Sequence, residues 1–336
     1  MEELAKERES AKAKLARGEL LSPDLHFRTL AHLFPAVGKL EGMDQKTKYH
    51  SLPADEHTLE VVRHLQEHPF VQSLSPRKRS LVLLAAKLHD VGKAHPEGGR
   101  PNPKEPSQMQ YVGHEQKSAE IAREILQKFD LTPDERTAVE KMVGLHSSAL
   151  NLTTPFQALE KNGKISGKEI AAFEKFVGEV KEIPGSHTPE GLEENFRLML
   201  AVTHADNKAV VNESTAASHP QLAEKANNQT ALIEKLNAAA PAVLEAIARK
   251  VEGVQQAGIA KEGNAYAYKD FTAKVEGGFD MAGLSAALKE KGVPPAVLGI
   301  VRKAGEPRQI ADAMQKAGHG QHAETVLGLL EKFRKT

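Results

Sequence analysis

Cysteine and tryptophan are absent from the 336 residues, and aromatic residues make up only 4%. Without cysteine there is no disulfide frame, no thiolate metal site and no cysteine nucleophile. Any metal must then be held by histidine and carboxylate, which selects a hard or borderline ion such as Mn, Mg, Ni, Co, Fe or Zn. An excess of one charge sign is also missing: 45 Lys and Arg stand against 45 Asp and Glu. That balance argues against bulk capture of DNA or of an anionic membrane, and it leaves room for a small basic pocket. No run approaches the ~18 apolar residues of a membrane span. The opening MEELAKERESAKAKL mixes both charge signs and has no signal-peptide core. A cytoplasmic protein is the expectation.

What is abundant is Ala, Leu, Lys and Glu, the composition of an all-α protein. The stretch that organises the chain is LVLLAAKLHDVGKAHPEGG, residues 81–99. It starts as an apolar run, the mark of a helix buried on most of its faces. His89 and Asp90 then stand side by side, and Gly92 follows as a helix-ending residue able to take a left-handed backbone. An unpaired carboxylate at the negative end of a buried helix is costly, and a divalent cation answers that cost.

Further helices carry polar residues on apolar stripes. In SLPADEHTLEVVRHLQEH, capped by Asp55 or Ser51, His57 shares a face with Val61, His64 and Leu65. His68 lies on the same face, so the pattern alone does not choose among the three histidines. A loop rich in Pro and Gly follows residue 95, of a length often used as a lid or binding loop. His114 opens a helix with Ser118, Ile121, Ala122 and Ile125 facing inward. Thr132-Pro133-Asp134-Glu135 is a capping box with proline at the first helical position. The helix it starts carries Val139, Met142, Val143 and His146 on one face. KNGKISGKE resembles half a calcium loop but lacks its alternating acidic ligands. In NFRLMLAVTHADNKAV, Asp206 joins Met199, Val202 and Thr203, while His204 points roughly 160° away. Further on, His319 and His322 are three apart among glycines that suggest a turn, and Tyr266 and Tyr268 are candidates to reach the pocket or to pack.

The ordered set is therefore His57, the pair His89 and Asp90, His114, His146 and Asp206. Four of these (His57, His89, Asp90, Asp206) suffice for one ion; His114 and His146 complete a second with Asp90 bridging, or contact a phosphate. This H…HD…H…H…D order on helices resembles the HD-domain metal-dependent phosphohydrolase superfamily, over about residues 28–210. HLFPAVGKLEGMDQKTKYHSLPADEHTLEVVRHL, LLAAKLHDVGK, GHEQKSAEIAREIL and LTPDERTAVEKMVGLH are similar to the HD domain of bacterial tRNA nucleotidyltransferases, the CCA-adding enzymes. No GS…DxD nucleotidyltransferase segment stands before them, so HD chemistry is expected and CCA addition is not. The cyclic-dinucleotide branch would place GYP near His146, where Ser147-Ser148 stands. The stringent-response hydrolases carry ED after HD, where Val91-Gly92-Lys93 stands.

The resemblance implies one or two divalent ions held by His57, His89, Asp90, His114, His146 and Asp206. It implies hydrolysis of phosphomonoesters or phosphodiesters, including 2′,3′-cyclic nucleotides, through a metal-activated water. Asp90, Lys93, His114 and His146 are the candidate catalytic residues; Lys93, Arg100 and Lys104 are candidate phosphate contacts. The expected partner is a small phosphate ester or nucleotide, with an RNA end as a second candidate. Two rival readings stand beside this one: an HD-type di-iron oxygenase, and a non-catalytic helical module binding RNA or protein. The expected architecture is an all-α HD-domain helical bundle with a C-terminal helical extension. Its expected divisions are an N-terminal helix or tail over 1–27, the HD domain over 28–214 with a helical insertion at about 152–191, and a C-terminal helical domain over 215–336.

Overall fold

Side-chain caps set several of the helix starts. The computed structural model describes residues 2–162, 164–256, 265–267, 291, 325 and 326. Among these, the α-helices run in order as α1 (Glu2–Ala16), α2 (Phe27–Leu33), α3 (Pro35–Gly38), α4 (Ala54–Glu67), α5 (Pro69–Ser73), α6 (Pro76–Leu88) and α7 (His114–Leu126). They continue as α8 (Pro133–Leu145), α9 (Thr153–Asn162), α10 (Gly167–Lys181), α11 (Pro189–Lys208), α12 (Glu213–Ala216) and α13 (Pro220–Gln256). Ser75, Thr132 and Thr188 each accept a hydrogen bond from a backbone N–H of the first turn, with proline at the first helical position. At Thr132 the reciprocal bond from Glu135 completes the capping box.

The cap of α4 differs from the sequence expectation. Its N-cap is Pro53, which makes no side-chain bond. Asp55 is buried instead, accepts from the Gly42 N–H at 3.0 Å and pairs with Arg28 Nη2 at 3.4 Å. A carboxylate drawn into a tertiary ion pair no longer serves its own helix end, although its charge still complements the first turn.

The chain divides into two units, one of Met1–Gln157 with Gly167–Ala260, the other of Ala158–Ser166 with Lys261–Thr336. In the first unit α11 is the central element: every residue from Leu198 to Asn207 is buried. It packs against α13 on one side and α4 on the other, while α7 lies on α8 and α8 on α6. Leu84, Leu88, Leu126, Val139, Phe196 and Met199 fill the space between them. The Pro- and Gly-rich loop forms a two-stranded hairpin, β1 (Arg100–Pro101) antiparallel to β2 (Met109–Gln110). In the second unit β3 (Lys164–Ser166) pairs antiparallel with β4 (Ala265–Ala267), Ile165 opposite Tyr266. Among the described residues the fold is all-α apart from these two short ribbons. His319, His322 and Tyr268 lie outside the described residues, and Tyr266 enters only as backbone of β4. Among the described residues no helix is long and apolar enough to cross a membrane.

Candidate metal centre

The last four carbonyls of an α-helix lack intrahelical partners. Two histidines use that vacancy. His89 caps α6 and bonds through Nδ1 to Ala86 O at 2.7 Å; His146 caps α8 and bonds through Nδ1 to Val143 O at 2.7 Å. His114 opens α7 after Gly113, whose φ of 87° is left-handed, and its Nδ1 reaches Tyr111 O at 2.5 Å. His57, on α4, reaches Ala209 O at 3.1 Å, just beyond the end of α11. A carbonyl oxygen only accepts, so all four rings donate through Nδ1 and turn Nε2 inward, where it either carries a proton toward a carboxylate or, once that proton leaves, offers a lone pair to an ion.

Those four nitrogens turn toward one another. His57 Nε2 lies 3.3 Å from His89 Nε2, and His114 Nε2 lies 3.3 Å from His146 Nε2. Asp90 sits between the pairs. Its Oδ2 is 3.2 Å from His89 Nε2 and 3.6 Å from His57 Nε2; its Oδ1 is 3.3 Å from His114 Nε2 and 3.8 Å from His146 Nε2. Asp206 Oδ1 stands 3.0 Å from His57 Nε2 and 3.7 Å from His89 Nε2. Two compact groups result, His57–His89–Asp90 and Asp90–His114–His146, sharing the carboxylate. Both Asp90 oxygens are buried without a directed hydrogen bond, although Lys93 Nζ stands 2.7 Å from Oδ2. Four imidazole nitrogens and two carboxylates crowded together in a buried site need protons or a cation between them. The donor set, imidazole nitrogen with carboxylate oxygen, fits one or two divalent ions.

The protonation states point the same way. Burial pushes Asp90 upward, but the charges of His89 and Lys93 outweigh it and hold the carboxyl well below its ordinary range. For Asp206 burial likewise opposes, and the His57 hydrogen bond and charge hold the carboxyl ionised. Burial, reinforced by His89, lowers His146 to about 4, so its imidazole is neutral at neutral pH. His89 is shifted upward: burial pulls it down, but the charge and hydrogen bond of Asp90 together with the charge of Asp206 outweigh it. A cation bound there competes with that proton.

A protein-family profile described as "HD domain" matches residues 54–206. Residues 54–206 form an HD domain. The matched span opens three residues before His57 and closes on Asp206, so it contains all six residues of the cluster. Among curated proteins, the bifunctional uridylyltransferase/uridylyl-removing enzyme of Bradyrhizobium diazoefficiens is 24% identical over 164 residues. That match covers 45% of this chain and 16% of the relative, so the chain spans only a small part of that protein's length. No solved structure matches the chain significantly.

Asp90, His114, His146 and Asp206 of the cluster form the floor of a cavity of about 590 Å³. Lys93 also lines it, buried rather than facing solvent: Nζ contacts Asp90 and donates to Gln45 Oε1 at 2.8 Å. Gln45 is itself pinned, donating through Nε2 to Leu52 O at 3.0 Å, while its backbone carbonyl accepts from Tyr111 OH at 2.8 Å. His50 approaches Lys93 Nζ at 3.4 Å and sets its ring edge-on to His57, centroids 4.7 Å apart. Gln45, His50 and Tyr111 escaped the sequence reading because they sit in loops, where no periodicity assigns a face. Arg100 and Lys104 are exposed near the hairpin, and neither lines the cavity.

Gly92 has a different reason from the one expected. It lies in a 3-10 turn, Val91–Ala94, and its φ is not positive. A Cβ there would stand 2.5 Å from His114 O and 2.6 Å from Ser118 N, and the Gly92 N–H donates to Ser118 Oγ at 2.8 Å. Close approach of backbone to α7 demands the glycine, and this contact brings Asp90 to His114.

His64, His68 and His204 lie apart from the cluster. The ring centroids of His68 and His204 are 5.3 Å apart, and His204 Nε2 contacts Glu234 Oε1 at 3.0 Å. The Nδ1 atoms of all three rings are buried without a partner.

Proposed function

We propose that the HD domain is a metal-dependent phosphohydrolase acting on a nucleotide or another small phosphate ester, as phosphomonoesterase or phosphodiesterase. The single observation behind this is Asp90, shared by two histidine groups at the bottom of a cavity that also holds a buried ammonium. We assign His57, His89, Asp90 and Asp206 to one ion and His114, His146 and Asp90 to a second. A divalent ion supplies Lewis acidity toward a phosphoryl oxygen and lowers the pKa of water. The residues of the chain provide the rest. Lys93, steadied by Gln45, places a positive charge where a phosphoryl oxygen enters, a charge-assisted contact fixed before substrate arrives. Burial and the Asp90 charge push Tyr111 up to about 12, so it stays a neutral phenol and props Gln45. Burial and the nearby Lys93 hold His50 well below the ordinary histidine range, so it meets substrate as a neutral imidazole. The uridylyl-removing activity named for the relative is in keeping with a nucleotide-bearing ester. The narrower likeness to the CCA-adding branch favours 2′,3′-cyclic nucleotides, and the cytoplasm is the compartment we assign.

Metal analysis of the purified chain with a panel of p-nitrophenyl phosphate, bis-p-nitrophenyl phosphate and 2′,3′-cyclic nucleotides tests this reading. Divalent metal with hydrolysis of at least one ester is expected. Iron with oxygen consumption and no hydrolysis would establish the oxygenase instead. Absence of bound metal would leave the helical binding module.

A further inference from the structure

The floor of the cavity belongs to the span matched as HD domain, but much of its outer wall does not. Thr47, Tyr49 and His50 precede residue 54, and Leu222, Lys225 and Gln229 follow residue 206. The two flanks are fastened to the site. Ser51 bonds through its N–H and Oγ to Val210 O at 2.9 and 3.0 Å, holding the first flank to the end of α11. Asn207, beside Asp206, donates to Ala226 O at 2.8 Å and to Thr230 Oγ1 at 2.9 Å, holding α13. Leu222, Lys225 and Gln229 recur at the spacing of one helical face.

The chemistry of this wall differs from that of the floor. Tyr49 is 53% exposed and Val112 is 70% exposed, two of the three exposed large apolar side chains of the described residues. Both line the cavity, where an exposed apolar surface marks a binding position, and Lys48 Nζ stands 5.8 Å from the Tyr49 ring centroid. Lys225 Nζ lies 5.0 Å from the centroid of the Tyr49 ring and ties it to α13. Two amide side chains, Gln110 and Gln229, line the same space, each offering a donor and an acceptor together. An aromatic face with amide groups around it suits a flat ring that carries donors and acceptors on its edge. A bare sugar phosphate or an alkyl ester has no such ring.

We infer that this outer wall is a subsite for the organic group of the ester, a planar heteroaromatic ring of the nucleobase class, stacked on Tyr49 and met at its edge by Gln229 and Gln110. The inference rests on the phosphohydrolase reading and adds to it that specificity is carried in large part by residues flanking the HD span, Tyr49 and Gln229, with Gln110 inside it.

The test is calorimetric binding to the full chain, purified with its own metal. The probes are the 5′-methylenephosphonate analogues of adenosine and of ribose, whose P–C bond resists hydrolysis. They share the phosphonate and differ by the base. Stacking a base on an aromatic side chain changes affinity on the order of tenfold or more. The adenosine analogue is therefore expected to bind at least about tenfold tighter than the ribose analogue. Tyr49→Ala should remove most of that ratio, Tyr49→Phe should keep it, and Gln229→Ala should reduce it a few-fold. Equal affinity for the two analogues, or a ratio unchanged in Tyr49→Ala, would overturn the subsite. A preserved ratio with no hydrolysis of any ester would uphold the subsite and refute the phosphohydrolase reading. Hydrolysis without base preference would do the reverse.

Discussion

Two groups of buried or half-buried histidines share α4: one joins His57 to His89, His114 and His146 of α6, α7 and α8, the other joins His64 and the C-cap His68 to His204 of α11. In the cluster around Asp90, each ring gives its Nδ1 proton to a backbone carbonyl, and each Nε2 faces a carboxylate. In the group of His64, His68 and His204, each Nδ1 is without a partner. That group has Glu60 at 3.8 Å from His64 and Glu234 at 3.0 Å from His204, and no shared carboxylate. Burial of a histidine therefore does not make it a ligand. A backbone acceptor on Nδ1 orients the ring and turns Nε2 toward the place an ion would take.

The largest effect that breaks this comparison is expected from Asp90→Ala. The two halves of the cluster, His57–His89–Asp90 and Asp90–His114–His146, lose the carboxylate they share, and hydrolysis should fall on the order of 10³-fold or more. The fold should survive, since the groups left behind cost a few kcal/mol at most against a stability of about 5 to 15 kcal/mol. A circular dichroism spectrum, read beside the rate, separates loss of chemistry from loss of structure. Gly92→Ala comes next. Its Cβ would meet backbone atoms of α7 that cannot swing away, at a cost of about 1–3 kcal/mol. The turn carrying Asp90 should shift from His114, and urea unfolding together with turnover measures both consequences.

His146→Ala is expected to be milder. It leaves His57, His89, Asp90 and Asp206 in place, so one ion should remain and turnover should fall by roughly tenfold or more. Elemental analysis that found no metal at all would reject the division into two ion sites. His204→Leu should leave metal content unchanged and stability altered by about 1 kcal/mol or less. Loss of metal in that variant would erase the distinction between the two groups.

The smallest effect concerns pH. Burial, reinforced by Arg63, lowers His64 from 6.5 to about 4; burial, reinforced by His204, lowers His68 from 6.5 to about 4. Between those values the unfolded chain binds protons that the folded chain does not, so stability should fall as pH drops from about 6.5 toward 4. Comparing urea midpoints at pH 7 and pH 5 should show a smaller drop in a His64→Leu, His68→Leu double variant than in the parent chain.

How much of this was readable beforehand varies with the kind of signal. The all-α class followed from composition and helical periodicity, and the start of α8 followed from Thr132 and Glu135, because caps are local. The six polar positions on apolar stripes also stood out, and the structure brings their side chains together. His57, His64 and His68 could not be separated, since one helix face serves two different neighbours along its length. Asp55 read as a cap until Arg28 and Gly42, distant in sequence, claimed it. Gly92 looked like a conformational residue and proved to be a steric one, a fact that only the position of α7 reveals. Gln45, His50 and Tyr111 belong to loops whose contacts are set by tertiary packing, and no spacing rule reaches them.

The central claim is that Asp90 joins two metal-binding groups. Titration of Mn²⁺ into the metal-stripped full chain and into Asp90→Asn, followed by calorimetry, tests it most directly. The substitution keeps the side-chain shape and removes the charge. The account predicts one or two bound ions per parent chain and an affinity at least about 100-fold weaker, or no measurable binding, in the variant. Binding to Asp90→Asn with the parent's stoichiometry and affinity would contradict it.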